Sequence, residues 1–209
     1  MSIAENPLMG PMRNSMGNFT TMNYNGQNIV RSKAFKPKKK NTPAQKNQEL
    51  KFALLARANS ALGGMTELGF VEYNHGKSAH NRFLAENMKT AFDLSGEVPV
   101  IDYTKLVVSK GSLPVVRVTG GRVTDEGITI EYETWIGVPK IQADDEIVAL
   151  VTNRAGQMLI GRQARGSEET GMLLLPDKNW KADGVLYGYV FAMSADGKKS
   201  SNSVYVELK

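Results

Sequence analysis

Beyond Ser95-Gly96 the spacing of apolar residues changes, from every third or fourth position to every second. A period of 3.6 buries one stripe of a helix, whereas a period of 2 buries one face of a strand. Neither segment can take the other's structure without exposing its apolar set. The chain therefore reads as α+β, with helices first and an antiparallel, strand-rich part after them.

Upstream of the switch, Leu50, Leu54, Ala58, Ala61, Met65 and Leu68 form a helical stripe. Asn41-Thr42-Pro43 supplies its start, with Asn or Thr as cap and Pro at the first helical position, where a missing N–H costs nothing. Gly63-Gly64 interrupts the stripe, and the spacing is compatible with either a kink or an end there. A second helix fits Ser78 to Leu94, with Phe83, Leu84, Met88, Ala91 and Leu94 on one face. The two stripes are expected to bury each other as an antiparallel pair.

Downstream, β-rich runs occur at Val98–Val108, Val115–Thr119, Ile128–Trp135, Ile147–Thr152, Gln157–Gly161, Gly171–Leu175, Val185–Met193 and Val204–Leu208. Turn residues separate them, including Gly120-Gly121, Asn153-Arg154-Ala155-Gly156 and Asp196-Gly197. In the third run Ile128, Ile130, Tyr132 and Thr134 alternate with Thr129, Glu131, Glu133 and Trp135, so the first set is assigned to the core. Seven or so short strands within about 100 residues predict an immunoglobulin- or fibronectin-like antiparallel sandwich.

Before the helices, Met1 to Gly17 shows neither period and reads as a flexible tail. Asn18–Tyr24 and Asn28–Lys33 flank Asn25-Gly26, the strongest short hairpin signal, because both turn residues tolerate positive φ. A lone hairpin is marginal in water and needs a further strand or face to pair with. The expected organisation is a tail over 1–17, then a hairpin, basic connector and two-helix region over 18–110, then a sandwich over 111–209. The joint between helices and sandwich is placed near Ser95–Pro114.

Charge is unevenly placed. Residues 1–60 hold ten Lys/Arg against Glu5 and Glu49, a net +8, while the whole chain is +5 and the remainder therefore −3. Arg31, Lys33, Lys36, Lys38, Lys39, Lys40 and Lys46 make the cluster, which suits phosphate neutralisation, an acidic protein neighbour or a plain solvated surface. Phe19, Tyr24 and Phe35 lie near enough in sequence to stack on bases, although sheet or core packing suits Phe19 and Tyr24 better.

The chemistry of catalysis is thinly represented. The chain has no cysteine and two histidines, His75 and His80. That removes disulfides, thiolate zinc sites and a cysteine nucleophile. Ser78 lies between the histidines without a Gly-x-Ser-x-Gly elbow, so all three are expected at the surface. Asp144-Asp145-Glu146 and Glu168-Glu169 have no calcium-loop spacing and read as solvated loops. Gly10-Pro11 to Gly17 and Gly120-Gly121 lack the Lys-Ser/Thr or strand–helix setting of a phosphate loop. Tyr187, Tyr189, Phe191 and Tyr205 have the spacing of a carbohydrate platform, but the same spacing fits sandwich core. No cofactor and no metal is expected. No apolar run approaches the roughly 18–20 residues of a membrane span, and Met1 to Gly17 lacks the apolar core of an export signal.

Gly17-Asn18, Asn25-Gly26-Gln27, Ile29-Val30-Arg31 and Asn41-Thr42-Pro43-Ala44-Gln45 occur here in an order that resembles an uncharacterised family of about this length, frequent in Bacteroidota and their phages. Ile101-Asp102-Tyr103 and the ending from Asp196-Gly197-Lys198-Lys199-Ser200-Ser201-Asn202-Ser203 to Val204-Tyr205-Val206 extend the resemblance over most of the chain. The family carries no settled activity and so no catalytic residues. What the resemblance implies is a phage-like context: a non-enzymatic head or tail subunit, assembled in the host cytoplasm, whose partners are further copies of itself and other virion proteins, with no membrane. A nucleic-acid-binding accessory protein using the basic segment is the alternative, and an adhesion or carbohydrate-binding module the second.

Overall fold

Two stretches, Ile147–Val151 and Tyr187–Ala192, lack the alternation of polar and apolar residues that marks a strand with one wet face, and every side chain in them that can be buried is buried. They lie side by side at the centre of the fold. The structure is a computed structural model that describes residues 2–4, 14–33, 40–73, 78–96, 98–124, 126–133, 139–153, 156–167, 170–176 and 185–209. It divides into two compact units, Met1–Thr42 and Pro43–Lys209.

In the first unit β1 (Ser2–Ala4), β2 (Asn14–Met16), β3 (Phe19–Tyr24) and β4 (Gln27–Ser32) form an antiparallel sheet in the order β1-β4-β3-β2. The expected hairpin is its centre, with Tyr24 paired to Gln27 across the turn. Asn25 (φ 51°) and Gly26 (φ 78°) both take the left-handed conformation that a tight, right-twisted hairpin requires. The tail expected over Met1–Gly17 is corrected where the structure describes it. Ser2–Ala4 pairs with β4 and Asn14–Met16 with β3, in strands of three residues that are too short to show a period.

The second unit opens with α1 (Pro43–Ala61), α2 (Met65–Gly69) and α3 (Ala79–Thr90). Gly63 (φ 51°) and Gly64 (φ 85°) end the first helix rather than kink it. Ser78 caps α3 by accepting from the Asn81 amide at 3.3 Å. That helix stops at Thr90, short of Leu94, because β5 (Phe92–Asp93) turns to pair with β6 (Val100–Ile101). The long strand expected over Val98–Val108 is thereby broken. Asp102 accepts from the Thr104 amide and starts a single 3-10 turn over Tyr103–Lys105.

The remaining strands are β7 (Arg117–Val123), β8 (Ile128–Glu133), β9 (Glu146–Asn153), β10 (Met158–Ala164), β11 (Gly171–Leu174), β12 (Leu186–Met193) and β13 (Val204–Val206). One antiparallel sheet runs β10-β9-β12-β13 and a second runs β11-β8-β7. Gly120-Gly121, expected as a turn, lies inside β7 at a register shift. Leu208 and Val206 pack where a Gly121 side chain would stand.

The two cores explain the layering. Ile147, Ala149, Val151, Val190 and Ala192 point to one side, where they meet Ile128, Ile130, Tyr132, Met172 and Leu174 of the second sheet and Val116 just before it. Val148, Leu150, Tyr187, Tyr189 and Phe191 point to the other, where they meet Leu55, Ala58, Leu62, Met65, Phe70, Phe83 and Leu84 of the helical segment. The helices therefore do not bury each other as a separate pair, and the expected boundary at residue 111 runs through one shared core. The outer face of the second sheet is wet and carries exposed ion pairs, Arg117 to Glu133 at 3.3 Å and Arg122 to Glu131 at 3.9 Å.

Hydrogen bonds fix how the helical layer sits. The side chain of Asn87, wholly buried on α3, donates to Val107 O at 2.8 Å and accepts from Val107 N at 2.7 Å, as a neighbouring strand would. Three buried serines gather around Gly69 at the end of α2. The Ser109 hydroxyl lies 2.9 Å from Gly69 O and 2.6 Å from Ser201 O, and the Ser200 hydroxyl lies 2.9 Å from Gly69 O. The Ser201 hydroxyl accepts from the Ala192 amide at 2.8 Å, tying the cluster to β12. Glu72 Oε1 accepts from both the Ser112 and the Ser200 amides at 2.9 Å. A side chain at Gly69 would collide with Val108 O, so the two backbones touch.

Three outcomes are expected. A chain beginning at Pro43 keeps one cooperative urea transition, whereas one beginning at Gly111 loses it, since Tyr187, Tyr189 and Phe191 would face water; circular dichroism and denaturant titration read both. Asn87→Ala should cost about 1–3 kcal/mol in urea unfolding, because it leaves the half-buried backbone groups of Val107 without their partner. Burial works to raise the Glu72 pKa, but the Ser112 and Ser200 amides outweigh it and hold the group below its ordinary value of 4.5. The charged form is thus favoured by folding, and its contribution is complete above 4.5 and lost as pH falls through the lower folded value. The stability gap between wild type and Glu72→Gln should be widest near neutrality and shrink in acid.

Candidate interaction surface

The N-terminal sheet has two faces and no apolar core of its own among the described residues. Register places Thr20, Met22, Tyr24, Gln27, Ile29 and Arg31 on one face, and Phe19, Thr21, Asn23, Asn28, Val30 and Ser32 on the other. The only buried residues described there are polar: Thr21, whose hydroxyl donates to Asn14 O at 2.8 Å, and Asn28, whose side chain accepts from Asn23 at 2.9 Å. Phe19 is 55% exposed, Tyr24 46% and Met22 40%. Among the described residues, neither core cluster contains one before Leu55. Four antiparallel strands with a hydrophobic face become stable when that face is covered, and here large apolar side chains stand in water on both faces.

The same unit carries the charge. Residues 1–42 hold seven Lys/Arg against one Glu, a net +6, and residues 43–209 hold nineteen against twenty, a net −1. Of the basic residues singled out in the sequence, Arg31 lies on β4 beside the Met22–Ile29 pair and is exposed, as are Lys33 and Lys40. Lys46 is exposed on the first turn of α1 and belongs to the second unit. Lys36, Lys38 and Lys39 lie outside the described residues, as does Phe35.

The other sequence candidates are placed as follows. Ser78 is a helix cap, His80 sits half-buried in the first turn of α3, and His75 falls outside the described residues. Asp144 is exposed, but Asp145 is buried, contrary to a solvated loop. Its carboxylate accepts from the Gln142 amide at 3.0 Å, and its carbonyl accepts from the Arg165 amide at 2.6 Å. Glu168, Glu169 and Trp135 lie outside the described residues. Tyr187, Tyr189 and Phe191 are buried beneath the helices. The Tyr187 ring stacks on Tyr103 at 4.5 Å, and the Tyr189 hydroxyl donates to Tyr103 O at 2.6 Å. Burial pushes the Tyr189 hydroxyl pKa well up, so it stays a proton donor. These three are core, and Tyr205, the fourth of the set, is half-buried with its ring edge-on to Tyr189 at 5.9 Å. Among the described residues no group of three or more His, Asp or Glu is placed to hold a metal ion, and no helix is long and apolar enough to cross a membrane.

Compared with known proteins, residues 11–207 match the model of a family described as a family of unknown function (DUF6266). No curated protein and no solved structure matches.

Proposed function

We propose, from the premise that this chain belongs to the DUF6266 family, that it is a non-enzymatic structural subunit that self-associates through its N-terminal sheet and its sandwich. The observation that carries this reading is the N-terminal sheet, which exposes Phe19, Met22 and Tyr24 and buries no described apolar side chain. A sheet of that kind gains stability when a neighbouring subunit covers a face or extends an edge. The sandwich is read as immunoglobulin- or fibronectin-like. Taking β7 to β13 as strands A to G, the orders E-B-A and D-C-F-G resemble the constant-type arrangement with strand D moved to the other sheet. The phage-like setting, with the protein as a head or tail component of a virion, comes from the sequence resemblance.

A second reading is supported by charge. The net +6 of residues 1–42, with Arg31, Lys33 and Lys40 exposed, suits a polyanion, and nucleic acid is the alternative partner. The two readings separate on salt. Burial of apolar sheet faces persists at high salt, whereas phosphate neutralisation weakens with a slope set by the number of contacts.

Sedimentation of the full chain and of a chain beginning at Pro43 tests the proposal. The full chain is expected to form a homo-oligomer that survives 1 M salt, and the shorter chain to be a folded monomer. Equal association of both would sink the role given to the N-terminal sheet. A full chain that stays monomeric yet binds DNA, and loses that binding when Arg31, Lys33, Lys36, Lys38, Lys39, Lys40 and Lys46 are replaced by Gln, would install the second reading instead.

A further inference from the structure

An open crease in the second unit, between α1 and Thr152, Asn153 and Gly156, has a volume of about 320 Å³. Its described walls are mostly apolar: Leu54, Ala58 and Ala61 from α1, Leu62 just after it, and Ile101, Tyr103 and Leu106 from the connector. The polar side chains at its far end are already committed. The Thr152 hydroxyl lies 3.0 Å from Gln157 O, and the Asn153 amide both donates to Gln157 Oε1 at 3.0 Å and accepts from Gln157 N at 2.9 Å. They ask nothing of a ligand. Arg57 is different. Its side chain lines the same crease, is exposed, and makes no hydrogen bond or ion pair with any described residue.

A mostly apolar trough whose described lining includes the uncommitted cation Arg57 selects for one kind of molecule. Ligand sites are typically concave and mostly apolar, with a few polar groups that fix orientation, and their volumes begin at about 300 Å³. At about 30 Å³ for each water-sized group, the crease holds on the order of ten non-hydrogen atoms. An apolar body of that size gains by leaving water, and a carboxylate on its end gains a charge-assisted, two-pronged hydrogen bond from the guanidinium. A neutral body of the same length forgoes the second gain, and a bare carboxylate forgoes the first.

We infer that this crease binds a small amphipathic carboxylate, with its aliphatic body between α1 and the Ile101–Leu106 connector and its head on Arg57. All its described lining residues belong to the second unit, and the inference does not rest on the assembly role.

Octanoate, which has ten non-hydrogen atoms, is the probe, followed in the full-length chain by amide resonances and by calorimetry. Saturable shifts confined to residues around Leu62, Asn153 and Gly156 are expected. Octan-1-ol and acetate should bind at least ten-fold more weakly, and so should octanoate to Arg57→Gln, an exposed substitution that leaves the fold intact. Ala61→Phe, which fills the trough, should abolish binding while the thermal midpoint of the ligand-free protein confirms that the variant is folded. Octanoate and octanol binding equally, Arg57→Gln binding as well as wild type, or shifts that fall elsewhere on the protein would each overturn the assignment.

Discussion

The antiparallel pairing of β9 with β12, from Leu186 opposite Asn153 to Met193 opposite Glu146, is the constraint on which the second unit depends. Both strands have a neighbour on their outer edge, so their backbone groups are satisfied within the sheet. Their side chains are another matter. With apolar residues on both faces, the pair is stable in water only when each face is covered. The sandwich partner covers one and the helices the other. Residue size follows the division of labour. Tyr187, Tyr189 and Phe191 fill the irregular space under three helices, while the smaller Val190 and Ala192 pack against the opposing sheet. At roughly 1.5–3 kcal/mol for each large apolar side chain removed from water, neither cover is dispensable.

Apolar burial has no direction, so it does not explain the angle at which the helices lie. The polar groups do. Asn87 reproduces the hydrogen bonding of a strand for the passing Val107, and the cluster of Ser109, Ser200, Ser201 and Glu72 holds the end of α2, the connector and the β12–β13 loop to one another. Serine suits this place because its hydroxyl reaches a main-chain carbonyl without adding bulk between backbones that already touch at Gly69. A buried network of this kind is specific because a partial mismatch leaves groups unpaired in a poorly polar interior.

Much of this was legible in the chain. The Asn25-Gly26 turn requires positive φ at two residues in succession, which few dipeptides permit. The Ile128, Ile130 and Tyr132 alternation named its buried face because β8 has one wet side. Ser2–Ala4 and Asn14–Met16 were not legible, since three residues cannot establish a period. Nor was the shared core: the helical stripe shows which side of α1 is buried but not what covers it, and the fully apolar β9 and β12 do not say which face meets which layer. Ser109, Ser200 and Ser201 look like loop residues because their partners lie about 40 to 130 positions away. Of the candidate site, Arg31, Lys33, Lys40 and Lys46 were readable as exposed because charges seek water. The crease was not, for its walls come from segments that span residues 54 to 156.

The order of synthesis meets this architecture awkwardly. The helical residues of the first core, through Ala91, are made before the chain reaches β9, and the aromatic residues that complete their cover follow only at Tyr187 to Phe191. At about 5–20 residues per second, the hundred or so residues between Ala91 and Tyr187 take roughly 5–20 s to emerge. Throughout that interval Leu55, Phe70 and Phe83 have at best a partial lid from Val148 and Leu150. A chain still on the ribosome therefore displays an amphipathic helical surface for seconds, long enough for a chaperone, or the same surface on a neighbouring nascent chain, to find it before β12 does.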